Sequence, residues 1–520
     1  MDDDFAELRT REFGYLDEGG HTYLDHTGAG LPPRSLVMGS ARRITGGLFG
    51  NPHSESPASR ASGLLLAEAR QAVLRHFNAD PDEYTVIFTP NTTGALRLVG
   101  EAYPFSRGSR LVMSLDNHNS VNGLREYARA RGAATVYVPG LRIDERRLFA
   151  ALSAAGPRGG TGGLFAYPAQ SNFTGVQHSL DWIAAAQAHG YDVLLDAAAF
   201  APTNVLDLSR HHPDFTAVSW YKVFGHPTGV GSLIARRPAL ARLRRPWFSG
   251  GTVHAVSAQA EWHVLAADEA AFEDGTVNFL SLPDVTAGLA WIDGIGMDRV
   301  HAHVTALTAR LLTGLRALRH TDGSPLVRVY GTDRAAVYGS DRAAVDGSDR
   351  AVVDGSDRAV VDGSDRAVVD GSDRAVADGS DRAAVDGTDR AAVEGADADR
   401  GGTVALNVLG ADGRIVDERV VTRDSAAHGI SLRTGCFCNP GAGEEAFDLP
   451  LTRLRSAAGA QVASLEEYLE LLELPSAGAV RVSLGVASQP RDIETFLAFL
   501  TETYRDRVPT AAGLAARESC

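Results

Sequence analysis

Between residues 84 and 235 seven short apolar runs recur, each set off from the next by a polar or helix-patterned stretch. They are YTVIF (84–88), RLVMSL (110–115), ATVYVP (134–139), GLFAYP (163–168), YDVLLD (191–196), FTAVSW (215–220) and GVGSLIA (229–235). Runs this short and this continuously apolar are the pattern of strands covered on both faces. Residues 58–77, GALRLVGEAY (94–103) and VNGLREYARARG (121–132) carry helical apolar spacing between them. Such alternation predicts an α/β fold with a mainly parallel central sheet and helices on both faces. From 283, two helices (PDVTAGLAWIDGI and MDRVHAHVTALTARLLTGLRAL) lead into strands LVRVYG, TVALNVL and ISLRTG. Helices are expected around 465–473 and 490–505, with strand VRVSLGV between them. This second part reads as a smaller α+β C-terminal domain. The expected organisation is an N-terminal segment (1–25), a large domain (26–282), a small domain (283–330 and 400–508) and a tail (509–520).

An octapeptide repeat interrupts the small domain. From Gly331 to Glu394, eight units run in strict register from GTDRAAVY through GSDRAVVD to GTDRAAVE, and the pattern decays by residue 399. The tract holds 15 acidic residues and 8 Arg, so it supplies −7 of the chain's net −15. With one or two β-branched residues per unit it buries little surface, and a disordered surface insertion is expected. A calcium-binding solenoid is the rival reading, but that pattern needs denser glycine and a nine-residue period. The insertion falls between LVRVYG and TVALNVL, where a hairpin tip is expected, and insertions do least harm there.

The remaining totals limit function. Length 520 is too great for one core, and an apolar fraction of 44% is that of a globular protein. The acidic balance argues against a nucleic-acid partner. Three cysteines, two of them in Cys436-Phe437-Cys438, make no disulfide framework and suit a reducing cytosol. The acidic start MDDDFAEL lacks a secretory pattern, and no uncharged apolar run reaches spanning length. A cytoplasmic enzyme without a membrane partner is expected.

Two segments carry the chemistry: SWYKVFGHPTGVG with Lys222, and RTGCFCNPG with Cys436 and Cys438. Lys222 follows the strand that YDVLLD ends in Asp196. A lysine for a Schiff base and a strand-end carboxylate for a pyridinium nitrogen are what pyridoxal phosphate needs. The apolar, glycine-rich setting of Lys222 is unlike a solvated face, and a desolvated lysine suits imine chemistry. Asn91, Thr92 and Thr93 open a helix after a strand, where backbone N–H groups and hydroxyls bind phosphate, or simply cap the helix. Ser219 and Tyr221 flank Lys222. His118, in DNHNSV, either stacks on a ring or sits as a polar turn residue. Asn172, in YPAQSNFTG, either holds a cofactor oxygen or caps a turn. The cysteines lie between Gly435 and Asn439-Pro440-Gly441, a loop context. Arg433 beside them could lower a thiol's pKa or grip a carboxylate. No second cluster completes a metal site. Cys520 is read as incidental.

These residues carry a resemblance. The stretches YLDHTGAG, GNPHS, FTPNTTGALRLV, YPAQSNFTGV, LLDAAAF, SWYKVFGHPTGVG, FSGGTV, FEDGTVNFL, LRTGCFCNPGA and VRVSLG resemble the fold-type I, class V pyridoxal phosphate enzymes. Within them the chain is most similar to the cysteine desulfurase module of the molybdenum cofactor sulfurases. The resemblance covers about residues 10–330 and 400–505. It implies Lys222 as the Schiff-base lysine, Asp196 as partner of the pyridine nitrogen and His118 stacked on the ring. It implies that Thr92, Thr93, Ser219 and Tyr221 hold the phosphate and that Asn172 contacts cofactor or substrate. Thr252, in GGT, would reach the phosphate of a neighbouring subunit, which implies a homodimer. Arg481 and Arg433 would bind the substrate carboxylate. Cys438, rather than Cys436, falls where desulfurases keep the persulfide cysteine.

The implied reaction takes sulfur from L-cysteine as a persulfide, leaves L-alanine and passes sulfur to an acceptor, in that family molybdenum cofactor-related. The alternative keeps the cofactor without a persulfide: an aminotransferase, epimerase or β-lyase. Three departures stand out. Full-length sulfurases continue into a further C-terminal domain, so here the expected acceptor is a separate sulfur-acceptor protein or a different molecule. Ala199 stands where general desulfurases place glutamine, and Gly443 where the sulfurase group often has another cysteine.

Overall fold

The computed structural model describes residues 3–154, 163–331, 399–457, 465–472, 474, 476 and 478–515. The octapeptide units after Gly331, and Cys520, lie outside the described residues, and with them the expectation of a disordered insertion.

The seven apolar runs form one sheet. Its strands are β1 (Tyr84–Thr89), β2 (Arg110–Ser114), β3 (Ala134–Val138), β4 (Gly163–Pro168), β5 (Tyr191–Asp196), β6 (Phe215–Ser219) and β7 (Gly231–Arg236), in the order β1-β7-β6-β5-β4-β2-β3. Neighbours from β6 to β3 are parallel, whereas β7 is antiparallel to both β6 and β1. Six strands therefore share one direction, and their C-terminal ends line one edge. Ligands of open α/β sheets bind outside such an edge.

The continuity of the apolar runs has a direct cause. Alternate side chains point to opposite faces, and both faces are covered. Val86, Val112, Phe165, Val193 and Ile234 enter the core on one face. Their neighbours Ile87, Leu111, Leu164, Leu194 and Leu233 enter the core on the other. All ten are completely or almost completely buried, each worth about 1.5–3 kcal/mol against exposure.

A second sheet holds β8 (Val327–Val329), β9 (Thr403–Val408), β10 (Arg433–Gly435) and β11 (Ala479–Ser483), in the all-antiparallel order β8-β9-β11-β10. Strands β8 and β9 flank the repeat and pair directly, with Val329 opposite Leu406. The helices Met297–Ala317 and Pro490–Tyr504 pack on this sheet, as do Phe5, Leu8 and Phe13 of the N-terminal helix Asp3–Phe13. The run ISLRTG is two pieces, not one strand. Ile430–Ser431 pairs in parallel with Thr22–Tyr23, and Arg433–Gly435 pairs with β11. The chain changes partners at Leu432, which fastens the N-terminal segment to the small sheet. A hairpin of Val253–Ser257 with Trp262–Leu265 also forms; its exposed, mixed sequence gives no strong strand pattern. Among the described residues no helix is long and apolar enough to cross a membrane.

The turn after Lys222 requires glycine. Gly225 has φ +72°, and a Cβ there would meet Pro32 N at 2.2 Å. Gly229 has φ +71° with nothing within 4 Å. Gly229→Ala should therefore cost about 1 kcal/mol, the left-handed backbone cost alone. Gly225→Ala should cost at least about 3 kcal/mol, because backbone must also move. Urea midpoints of the two variants check this difference.

Candidate active site

The shared strand edge delivers the predicted residues to one place. β5 ends at Asp196, whose Oδ1 accepts from Ala198 N at 3.0 Å. β6 ends at Ser219 and runs into the short helix Trp220–Phe224, which carries Lys222. β2 leads to His118, the N-cap of Asn119–Asn122. β4 leads to Ser171 and Asn172, and β1 to Asn91, Thr92 and Thr93. Gly30 donates from its N–H to Tyr221 O at 3.0 Å, and its missing side chain leaves room against Lys222 O. The YLDHTGAG stretch thus braces the lysine helix.

Electrostatics tie the group together. Burial pushes the Lys222 amine below its ordinary value; Asp196 opposes this, Arg481 adds to it, and Asp25 and Arg433 act from the same site. Burial also lowers His118, with Asp196 opposing and Lys222 and Arg481 adding. Ser120 N donates to His118 Nδ1 at 3.1 Å. A backbone amide can only donate, so the neutral ring is assigned its proton on Nε2.

At the first turn of the helix Thr92–Ala102, Asn91 Oδ1 accepts from Gly94 N at 2.9 Å. Thr92 N donates to Ser219 Oγ at 3.0 Å, and the Thr92 and Ser219 hydroxyls lie 2.8 Å apart. The Thr93 hydroxyl is 2.7 Å from that of Ser120, which also touches His118 Nδ1 at 3.0 Å. A Cβ on Gly231 would come within 2.6 Å of the Asn91 carbonyl carbon, so β7 can pass this turn only with glycine. Tyr221 is half-buried; burial raises its phenol and Arg433 opposes. A helix N-terminus ringed by hydroxyls, a desolvated amine and a strand-end carboxylate fit pyridoxal phosphate.

Thr252 is not part of this group in the single chain. Its buried hydroxyl donates to Ser249 O and accepts from Ser249 N, both at 2.8 Å, closing its own turn near His53.

The cysteine pair lies on a tight turn. Asn439 N donates to Cys436 O at 3.0 Å, and both central residues are left-handed, Phe437 at φ +55° and Cys438 at φ +53°. That conformation is costly for an aromatic residue, and the surroundings enforce it. Asn172 Nδ2 donates to Phe437 O at 2.8 Å, and Asn119 N donates to Cys438 O at 2.6 Å. Asn439 Nδ2 donates to Asp116 Oδ1 at 2.7 Å and to Asn172 Oδ1 at 2.9 Å. Both polar ends of Asn172 are thus taken up by the cysteine turn. Cys438 is exposed and free.

Arg481 and Arg433 meet at Asp25. Arg481 Nη2 donates to Asp25 Oδ1 at 2.8 Å, and Arg433 donates to Oδ2 through Nε at 3.0 Å and Nη2 at 2.8 Å. Asp25, Asp116, Ser120 and Asn439 are not marked as site residues by sequence reasoning. YLDHTGAG and RTGCFCNPG contain two of them, but their partners lie hundreds of residues away.

His26, next to Asp25, lines a small cavity with Lys222, Gln170 and Thr403. Burial pushes its imidazole down to about 4, with Asp25 opposing. The folded value lies below the unfolded one, so its stabilising effect is full above about pH 6.5 and is lost as pH falls toward 4. The shift corresponds to about 3 kcal/mol. His26→Gln should therefore lose less stability than wild type between about pH 7 and pH 4, as read by urea unfolding.

A family model described as aminotransferase class-V matches residues 22–338. A molybdenum cofactor sulfurase of Bos taurus is 31% identical over 515 residues, covering 96% of this chain and 51% of that protein. The chain thus spans about half the length of that relative. The structure of a cysteine desulfurase from Thermococcus onnurineus NA1 superposes with TM-score 0.69 at 21% identity, covering 96% of this chain and 98% of that one. A C-DES variant with glycine covalently linked to its PLP cofactor superposes with TM-score 0.63 at 17% identity, covering 95% and 99%. At these identities the two structures share the fold.

Proposed function

Because this chain belongs to the class-V aminotransferase family, with pyridoxal 5'-phosphate as its implied cofactor, we propose that it is a cysteine desulfurase that loads sulfur onto Cys438. The observation that carries this reading is a free, exposed thiol on an enforced turn whose hydrogen bonds run to Asn119 and Asn172, beside the Lys222 group. A lyase or aminotransferase has no use for such a thiol.

When bound through Lys222, the cofactor supplies an electron sink for carbanion chemistry. The chain's residues do the rest. Asp196 would pair with the cofactor's pyridine nitrogen and His118 would stack on its ring, with the imidazole proton on Nε2. Thr92, Thr93, Ser219 and Tyr221 would hold the phosphate, with Asn172 as a further contact. Arg481 would take the substrate carboxylate, with Arg433 beside it in the same anion site. Lys222 would hold and move the substrate α-proton; its desolvated amine, lowered below its ordinary value, suits that task. The Cys438 sulfur then attacks the substrate sulfur. The S–S bond forms as the substrate C–S bond breaks, and the carbon takes a proton to leave as L-alanine. An exposed turn lets the persulfide be reached by an acceptor, and the likeness to molybdenum cofactor sulfurases supports an acceptor related to that cofactor.

A homodimer belongs to the same reading. Trp247, Phe248, Trp262 and Val264, near the Thr252 turn, are each at least 40% exposed, an apolar surface suited to a second copy. Thr252 would then face the neighbouring subunit's phosphate.

With L-cysteine and a thiol reductant, the protein should release alanine and sulfide in equal amounts. Cys438→Ala should lower both by at least about 100-fold, equal to about 2.7 kcal/mol of barrier, while keeping the yellow cofactor band. Lys222→Ala should lose both the band and the activity. Undiminished sulfide release from Cys438→Ala, with pyruvate in place of alanine, would contradict the proposal and indicate a β-lyase.

A further inference from the structure

We propose that Asp25 is a positioning residue that sets the charge of the substrate it admits: it binds Arg433 and Arg481 into one anion site of net charge +1, matched to an amino acid with one carboxylate and an uncharged side chain. The inference rests on the proposed function and adds the substrate class to it.

Arg433 on β10 and Arg481 on β11 are direct cross-strand partners. Like charges directly opposite one another are unfavourable, and Asp25 lies between them with one oxygen on each guanidinium. Its backbone is fixed from three sides. Asp25 bridges Ser483 in parallel, Gly28 N and Ala29 N donate to its carbonyl at 2.9 and 3.1 Å, and Tyr23 Oη donates to the same carbonyl at 3.3 Å. A Cβ on Gly28 would fall 2.5 Å from Asp25 Oδ2 and 2.7 Å from Arg433 Nη2, so the turn holds glycine to make room for the ion cluster.

The two arginines face different ends of the site. Arg481 is buried, donates from Nη1 to Asn172 O at 3.1 Å and lies over the Phe437 ring at 4.9 Å. Its buried Nε has no hydrogen-bond partner among the described residues, an open donor for a carboxylate. Arg433 is half-exposed and lies within electrostatic reach of Cys438. A substrate with its carboxylate on Arg481 and its sulfur toward Cys438 therefore passes Arg433. A second anion at the sulfur end would seek Arg433, whose Nε–Nη2 edge Asp25 already fills. Neutralising Asp25 opens that edge and leaves the site doubly positive.

The test is binding of unreactive probes, L-alanine with one carboxylate and L-aspartate with two, titrated by the cofactor absorption of wild type, Asp25→Asn, Arg433→Gln and the double variant. Asp25→Asn should shift the preference toward L-aspartate by about tenfold, equal to about 1.4 kcal/mol, and adding Arg433→Gln should abolish that shift. A residue that merely holds the fold would weaken both ligands alike, so an unchanged preference overturns the inference. If Asp25→Asn does not fold, Arg433→Gln decides: weaker L-alanine binding supports the paired site, and unchanged binding overturns it. Failure of the proposed reaction would appear separately, as absent sulfide from L-cysteine with these binding ratios intact.

Discussion

The Lys222 amine lies in a field of fixed charges, with Asp196 on the large sheet and Arg481, Arg433 and Asp25 at its junction with the small one. Burial works against its proton, and the carboxylates partly restore it. In the proposed reaction that balance suits a lysine that is first a covalent anchor and then a base. It depends on six strands delivering their ends to one edge and on the small sheet bringing its arginines across from the opposite side.

The N-terminal stretch around Asp25 joins the two halves. Thr22–Tyr23 pairs with Ile430–Ser431, Asp25 binds both arginines, and Gly30 braces the lysine helix. A second set of contacts joins them at the cysteine turn. There Asp116, Asn119 and Asn172 of the large sheet hold a left-handed Phe437-Cys438 pair that would be costly unsupported. The Cys438 thiol is therefore positioned by the large sheet although the small sheet's chain carries it.

What the sequence revealed follows the range of each interaction. The strands of the large sheet were legible because each is a local apolar run closed by a turn. Lys222 and Asp196 were legible because strand ends mark the edge of such a sheet. The reversed direction of β7 was not, since apolar content carries no sign of direction. Nor was the break at Leu432, because a change of pairing partner leaves no local mark. Asp25 lies 456 residues from Arg481 and 408 from Arg433, and no spacing rule reaches across that distance. The left-handed turn was hidden by its residues. Phe437 and Cys438 are not turn formers of that hand, and the conformation exists only because Asn172 and Asn119 impose it.

The central claim is that sulfur leaves the substrate on Cys438. The most direct measurement is peptide mass spectrometry of the protein mixed briefly with L-cysteine, alkylated without reductant and digested. The account predicts an added sulfur atom on the peptide bearing Cys438, assigned by fragmentation to that residue and absent when L-alanine replaces L-cysteine. Sulfide and pyruvate in solution, with no added sulfur on any cysteine, would contradict it.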